Sequence, residues 1–198
     1  MDVTDRWLTR LKVVLDSRPR PLPPAFHDLR PAAVLVAVGV EPSGEAHLLL
    51  TQRTHTVDTH RGQIALPGGA QERNESPRET ALREAEEEVG LHPVHVRVAG
   101  YLPEVFTPVG YRVVPVVGVF ALPYPFRPEP REVAEVFLLP LRTWARLAPT
   151  RVHPLRFRGR PHRVHHFLWQ GRDIWGMTAR ILLELRRRLP APYGEAPP

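Results

Sequence analysis

The chain has 198 residues, no cysteine and a formal net charge of +6. Its length predicts one domain with one main core, and the lack of cysteine excludes disulfides and thiolate metal sites. No apolar run approaches the roughly 20 residues of a membrane span, and the N-terminus lacks the features of a secretory signal. We therefore expect a cytoplasmic protein without a membrane partner, and a homodimer is among the oligomeric states left open.

The positive charge is compatible with two classes of partner. A basic surface can bind nucleic acid. Here, however, the basic residues are scattered and all except Lys12 are arginine, which together with 24 prolines indicates a composition bias. We therefore expect the partner to be a polyanionic small molecule rather than a nucleic acid.

The hydropathy pattern predicts helices and strands in mixed order. Helices are expected over residues 4–16, 76–90, 141–147 and 178–189. Strands are expected over residues 32–38, 47–53, 94–101, 111–120, 135–139 and 163–169. These elements divide the chain into an N-terminal helix with a proline-rich linker (1–29), a main domain (30–189) and a tail expected to be disordered (190–198). The mixed order predicts an α/β sandwich around a mixed sheet.

The helix over residues 76–90 has clear signals at both ends. Ser76 is a suitable N-cap, Pro77 suits the first helical position, and Glu79 completes a capping box. Gly90 supplies the left-handed residue that ends a helix. At about 100° per residue, one face of this helix is apolar and should pack on the sheet.

Glu84, Glu87 and Glu88 lie on the adjoining face of this helix, whereas Glu86 falls on the far flank and should be solvated. Carboxylates within one turn repel each other, and an acidic solvated face is one interpretation of such a triplet. Mg²⁺ and similar hard cations prefer oxygen ligands and commonly take one or two carboxylates together with phosphate oxygens. We therefore predict a divalent metal site, for Mg²⁺ or Mn²⁺, at these three glutamates.

The chain from Gly69 to Leu91 resembles the Nudix box, G-x5-E-x7-R-E-U-x-E-E-x-G-U, at every fixed position, with Ala85 as a small aliphatic residue. The resemblance implies a hydrolase that cleaves a nucleoside diphosphate linked to another moiety. It also implies that Glu84, Glu87 and Glu88 bind metal and that Arg83 orients them through a salt bridge. Gly68 and Gly69 form a turn whose backbone can approach a ligand closely.

A second segment resembles the coenzyme A pyrophosphatase branch of this family, L-L-T-x-R-S-x3-R-x3-G-x3-F-P-G-G. The matching positions are Leu49, Leu50, Thr51, Arg53, Gly62, Pro67, Gly68 and Gly69. Thr54, Asp58 and Leu66 depart from the pattern, and Asp58 reverses the charge of an arginine. The resemblance implies cleavage of CoA to 3′,5′-ADP and 4′-phosphopantetheine. The candidates for binding the phosphates of the substrate are Arg53, His60 and Arg61, together with His55.

Three alternatives remain open at the level of sequence. Another Nudix substrate such as ADP-ribose, a dinucleotide or a nucleoside triphosphate would use the same box. An RNA-processing protein would use the basic surface and show salt-dependent binding. A Nudix-fold module that only binds its ligand would not need an intact glutamate cluster.

Overall fold

The computed structural model describes residues 2–54 and 62–193. The helices of this part of the chain are α1 (Val3–Val14), α2 (Pro77–Val89), α3 (Leu141–Arg146) and α4 (Gly176–Arg188), with single 3-10 turns at Pro24–Phe26 and Pro93–His95. The strands are β1 (Arg30–Val40), β2 (Ala46–Arg53), β3 (Ile64–Ala65), β4 (Gly68–Ala70), β5 (Arg97–Tyr101), β6 (Val105–Phe106), β7 (Tyr111–Ala121), β8 (Val133–Pro140), β9 (Arg151–Phe157), β10 (Arg160–Trp169) and β11 (Arg172–Trp175).

The main sheet is mixed, and it opens between β1 and β2. Strands β1 and β7 pair in parallel along their whole length, while β2 pairs with β1 only beside their hairpin, where Val38 lies opposite Leu48. Beyond that point β4 takes the place next to β1, and β3 pairs with the far end of β2. Gly68 and Gly69, expected in a turn, are the first two residues of β4 and follow a bend at Pro67. This bend and the two glycines, called the glycine turn below, lie where the two central strands separate.

Helices cover both faces of this sheet. On one face, α2 packs Ala81, Ala85 and Val89 against a cluster that includes Leu35 of β1. On the other face, α1 packs against β5, β7 and β1, and its Leu11 is completely buried. Helix α4 lies mainly against β10 and β11 and belongs to the same core cluster as α1. Alternation along the strands supplies apolar side chains to both layers. The predicted α/β sandwich around a mixed sheet is confirmed.

Several elements differ from the expectations drawn from the sequence. The strand expected over residues 94–101 begins only at Arg97, because Pro93–His95 forms a 3-10 turn. The strands β3, β4, β6, β9 and β11 were not expected. Of these, β9 and β11 flank β10 in a separate three-stranded sheet. Strands of two or three residues carry too little alternation to be recognised, since tertiary pairing alone defines them.

Both ends of the described chain meet at one place. Tyr193 packs edge-on against Trp7, with 5.1 Å between the ring centroids, and residues 194–198 lie outside the described chain. None of the helices that the structure describes has the length and apolarity needed to cross a membrane.

Candidate active site

The glycine turn brings β4 into very close contact with its neighbours. A Cβ atom on Gly68 would lie 2.4 Å from the backbone oxygen of Ala33, and one on Gly69 would lie 2.5 Å from Oε1 of Glu84. A side chain at either position would therefore displace β1 or the Glu84 carboxylate. These two glycines are required because the backbone must approach both a strand and a carboxylate.

The predicted end signals of α2 are all present. The Ser76 side chain accepts a hydrogen bond from the Glu79 N–H, and Glu79 accepts one from the Ser76 N–H at 2.7 Å. Gly90 ends the helix at φ +70°. Glu86 lies near the C-terminal end with its carboxylate 3.5 Å from His92, which agrees with its expected position away from the other glutamates.

Arg83 connects an acidic residue that precedes this helix with two glutamates of the helix itself. Its Nε atom lies 2.7 Å from Glu75 Oε1, and its Nη1 atom lies 3.0 Å from both Glu84 Oε1 and Glu87 Oε2. Hydrogen bonds from Arg83 and Thr80 lower the pKa of Glu75 to about 2. The arginine therefore fixes Glu75, Glu84 and Glu87 relative to one another. It does not contact Glu88, which the Nudix resemblance also implies for it and which lies beside Arg53 instead.

Glu88 is the most deeply buried carboxylate of the cluster, with 4% of its surface exposed. It accepts a weak hydrogen bond from the Gly68 N–H at 3.4 Å. Burial raises its pKa to about 8, while the nearby guanidinium of Arg53 opposes this increase. Burial also raises the pKa of Glu84. Burial thus opposes the charged form of one buried carboxylate, Glu88, and of one half-buried carboxylate, Glu84. A bound cation would offset this effect.

Glu87 differs from the other two glutamates because 59% of its side chain is exposed. The carboxylate oxygens of the three glutamates do not all lie within 4.8 Å of one another. In the described chain, the one group of three candidate ligands that meets this distance lies in the β1–β2 hairpin. A hard cation needs only one or two protein carboxylates when substrate phosphates and waters complete its shell. The donor set thus suits Mg²⁺ or Mn²⁺ shared with a diphosphate.

Arg53 at the end of β2 lies between two acids. Its Nη1 atom is 3.5 Å from Glu88 Oε1, and its Nη2 atom is 3.8 Å from Glu132 Oε2. Glu132 was not expected at this site, because it precedes β8 and no sequence spacing relates it to α2. It is brought there by the pairing of β2 with β8, which places Val133 opposite Arg53.

The sequence candidates thus separate into two groups. The structure brings Arg53, Gly68 and Gly69 together with the glutamates of α2. His55, His60 and Arg61, as well as Asp58, lie outside the described residues.

An open cleft of about 630 Å³ lies next to this site. Its walls are Gln52 and residues 62–64, Glu135 of β8, and residues 170–173 with Trp175. Ile64 belongs to the core layer of α1 and α4, whereas Arg53 points to Glu88 of α2. The cleft is therefore a neighbouring space across the end of β2, separate from the candidate metal ligands on α2.

A glycine turn that leads into a capped glutamate helix, within an α/β sandwich, defines the class of Nudix hydrolases. A model of the NUDIX domain matches residues 29–156, and the chain belongs to the Nudix family. Members of this family generally use divalent metal ions and act on small nucleotide substrates.

Relatives and solved structures agree with this assignment. The chain is 41% identical over 182 residues to the "Uncharacterized Nudix hydrolase NudL" of Pectobacterium atrosepticum, covering 90% of this chain and 91% of that protein. It is 44% identical over 159 residues to the protein of the same name from Escherichia coli (strain K12), covering 79% and 81%. The Nudix hydrolase RenU of M. smegmatis has a TM-score of 0.50 at 30% identity, covering 58% of this chain and 72% of that one. A MutT/nudix family protein from Enterococcus faecalis has a TM-score of 0.51 at 20% identity, covering 84% and 64%, and shows the fold alone.

Proposed function

We propose that this Nudix hydrolase cleaves the diphosphate bond of coenzyme A or its acyl derivatives, giving 3′,5′-ADP and 4′-phosphopantetheine or its acyl form. The observation that carries this proposal is the segment from Leu49 to Gly69, which resembles the signature of the CoA pyrophosphatase branch. Its two described ends, Arg53 and the glycine turn, meet at Glu88. A cytoplasmic location and a substrate of low molecular weight belong to the same proposal.

The proposed roles follow from the surroundings of each residue. Glu84, Glu87 and Glu88 hold the divalent ion, and Arg83 keeps Glu84 and Glu87 in position through its Nη1 atom. When bound, Mg²⁺ or Mn²⁺ neutralises the diphosphate and lowers the pKa of a bound water. Arg53 lies beside Glu88, so its guanidinium can attract a diphosphate that is bound there through the metal ion. Glu132 lies beside Arg53, and its exposed carboxylate is suited to accept a proton from the attacking water.

The part of the substrate beyond the diphosphate needs additional contacts. The cleft across the end of β2 is lined by Gly62 of the branch signature and by the exposed indole of Trp175. An indole face can stack on a purine. His60 and Arg61 follow Arg53 in the chain and are proposed to bind the 3′-phosphate.

The test is to identify the products formed from CoA with Mg²⁺, and separately with Mn²⁺, by mass. We expect 3′,5′-ADP and 4′-phosphopantetheine, and hydrolysis in ¹⁸O-labelled water shows which phosphorus is attacked. Comparing the rates of hydrolysis of CoA and dephospho-CoA gives the contribution of the 3′-phosphate. ADP-ribose, a dinucleotide, nucleoside triphosphates and RNA with a 5′-diphosphate complete the panel. Intact CoA together with turnover of another compound would reject the CoA assignment and retain the Nudix one.

A further inference from the structure

The β1–β2 hairpin carries a second group of potential metal ligands, formed by Glu41, Glu45 and His47. The Glu41 N–H donates to the Glu45 carbonyl at 2.9 Å, so these two residues face each other across the turn. His47 follows two positions after Glu45 and therefore projects from the same face of the hairpin. One ligand atom from each residue lies within 4.8 Å of the other two.

The His47 imidazole is buried but poorly satisfied. Only 9% of the residue is exposed, and neither ring nitrogen makes a hydrogen bond to any residue that the structure describes. Its Nε2 atom does lie 3.0 Å from Glu41 Oε1, but in an orientation that does not meet hydrogen-bond geometry. A buried polar atom without a hydrogen bond is unfavourable, so a ligand that accepts a lone pair of this ring would stabilise the hairpin.

We propose that Glu41, Glu45 and His47 form a zinc-type metal site that is separate from the active site. Imidazole with carboxylates suits Zn²⁺ better than Mg²⁺. Two ligands of a tetrahedral zinc ion are separated by ~3.3 Å, close to the 3.0 Å between His47 and Glu41. Glu45 is exposed and can move the remaining distance, and water completes the shell.

The site cannot be the metal centre of the hydrolase. Ala33 lies opposite Gly69 of the active-site turn, and Glu41 follows eight residues later at the other end of β1. An extended strand of that length spans ~26 Å. The same hairpin holds α1, because the Trp7 indole N–H donates to the Gly44 carbonyl at 3.1 Å. A bound ion would therefore order the hairpin and stabilise the packing of α1.

The experiment titrates zinc into the full chain with excess Mg²⁺ present to occupy the active site. Equilibrium dialysis gives the number of ions bound, and the ring resonances of His47 report direct ligation. We compare the wild type with Glu45→Gln and His47→Gln. The matched control is His92→Gln, which removes a histidine that lies beside a single glutamate, Glu86.

We expect one zinc equivalent in the wild type and in His92→Gln, and at least a tenfold loss of affinity in the other two variants. Because Glu45 is exposed, its variant should fold normally and keep full hydrolase activity. Zinc at a hundredfold excess over its dissociation constant should raise the melting temperature of the wild type by about 5 °C and that of Glu45→Gln much less. Equal zinc binding in all four proteins, or unchanged His47 resonances, would overturn the proposal.

Discussion

At the scale of single residues, the candidate active site contains a carboxylate, Glu88, whose surroundings disfavour its charged form. Glu88 is buried next to a single guanidinium, at 3.5 Å, and its burial opposes the charged form that metal binding requires. In the proposed function, such a residue lowers the stability of the metal-free protein but is needed to bind the metal ion. The effect of this carboxylate on stability and its effect on turnover can be measured separately by replacing it with an amide of the same shape.

We expect Glu88→Gln to lower turnover by at least ~10²-fold, and Glu87→Gln to do so as well. The melting temperature of metal-free Glu88→Gln should be unchanged or higher, because the neutral amide is less costly to bury. Steady-state kinetics and thermal unfolding measure the two effects. Glu86→Gln, on the far flank of the same helix, is the control and should retain activity. Near wild-type turnover in both variants would contradict the proposed metal ligands.

Glu75 makes the opposite contribution, since its interactions favour the charged form. Hydrogen bonds from Arg83 and Thr80 lower its pKa to about 2, so its stabilising effect is complete above its ordinary pKa of 4.5 and is lost as the pH falls towards 2. We expect Glu75→Gln to reduce the free energy of unfolding by ~1–3 kcal/mol at pH 7. Urea unfolding as a function of pH should show the difference from wild type decreasing only below about pH 4.5. A difference that is independent of pH would show that the carboxylate is not stabilised in this way.

At the scale of elements, α2 was predictable and the surrounding short strands were not. Residues of the helix and its two ends determine the cap at Ser76, the left-handed conformation of Gly90 and the position of Glu86. These features could therefore be predicted from the local sequence. The proximity of Arg53 and Glu132 depends on how β2 and β8 pair across the sheet. Their separation along the chain follows no fixed spacing, and so Glu132 could be found only in three dimensions.

The two glycines of β4 should respond differently to the same substitution. A Cβ atom at Gly69 would meet the carboxylate of Glu84 at 2.5 Å, whereas one at Gly68 would meet the backbone of Ala33 and Val34. We expect Gly69→Ala to lower turnover at nearly unchanged stability, because a side-chain end can move away. Gly68→Ala should reduce the free energy of unfolding by ~1–3 kcal/mol. Kinetics and urea unfolding of both variants check this, and equal losses of stability would show that Gly69 also has a structural role.

At the scale of the whole molecule, basic residues occur throughout the chain, but the excess of positive over negative charge lies in one part of it. Residues 141–188 contain twelve arginines and only two acidic residues, Asp173 and Glu184. The rest of the chain is therefore acidic on balance, and it includes the glutamates of the candidate active site. The arginine-rich part contains β9, β10 and β11, and the turn between β10 and β11 lines the cleft across the end of β2. Its field can thus attract an anionic substrate towards a site that is itself negative.

This distribution predicts that the association of an anionic substrate is sensitive to salt. We expect kcat/KM to fall about three- to tenfold when the ionic strength rises from ~0.05 to ~0.5 M, while kcat at saturation changes little. The doubly substituted Arg156→Gln/Arg163→Gln protein should show a weaker dependence, because both arginines belong to β9 and β10 and are exposed. The control protein Arg6→Gln/Arg18→Gln loses the same charge near α1, and the dependence of its kcat/KM on ionic strength should change less. If kcat/KM depends equally on ionic strength in the two double variants, the net charge matters and its location does not. A kcat/KM that is independent of ionic strength would exclude electrostatic steering of the substrate.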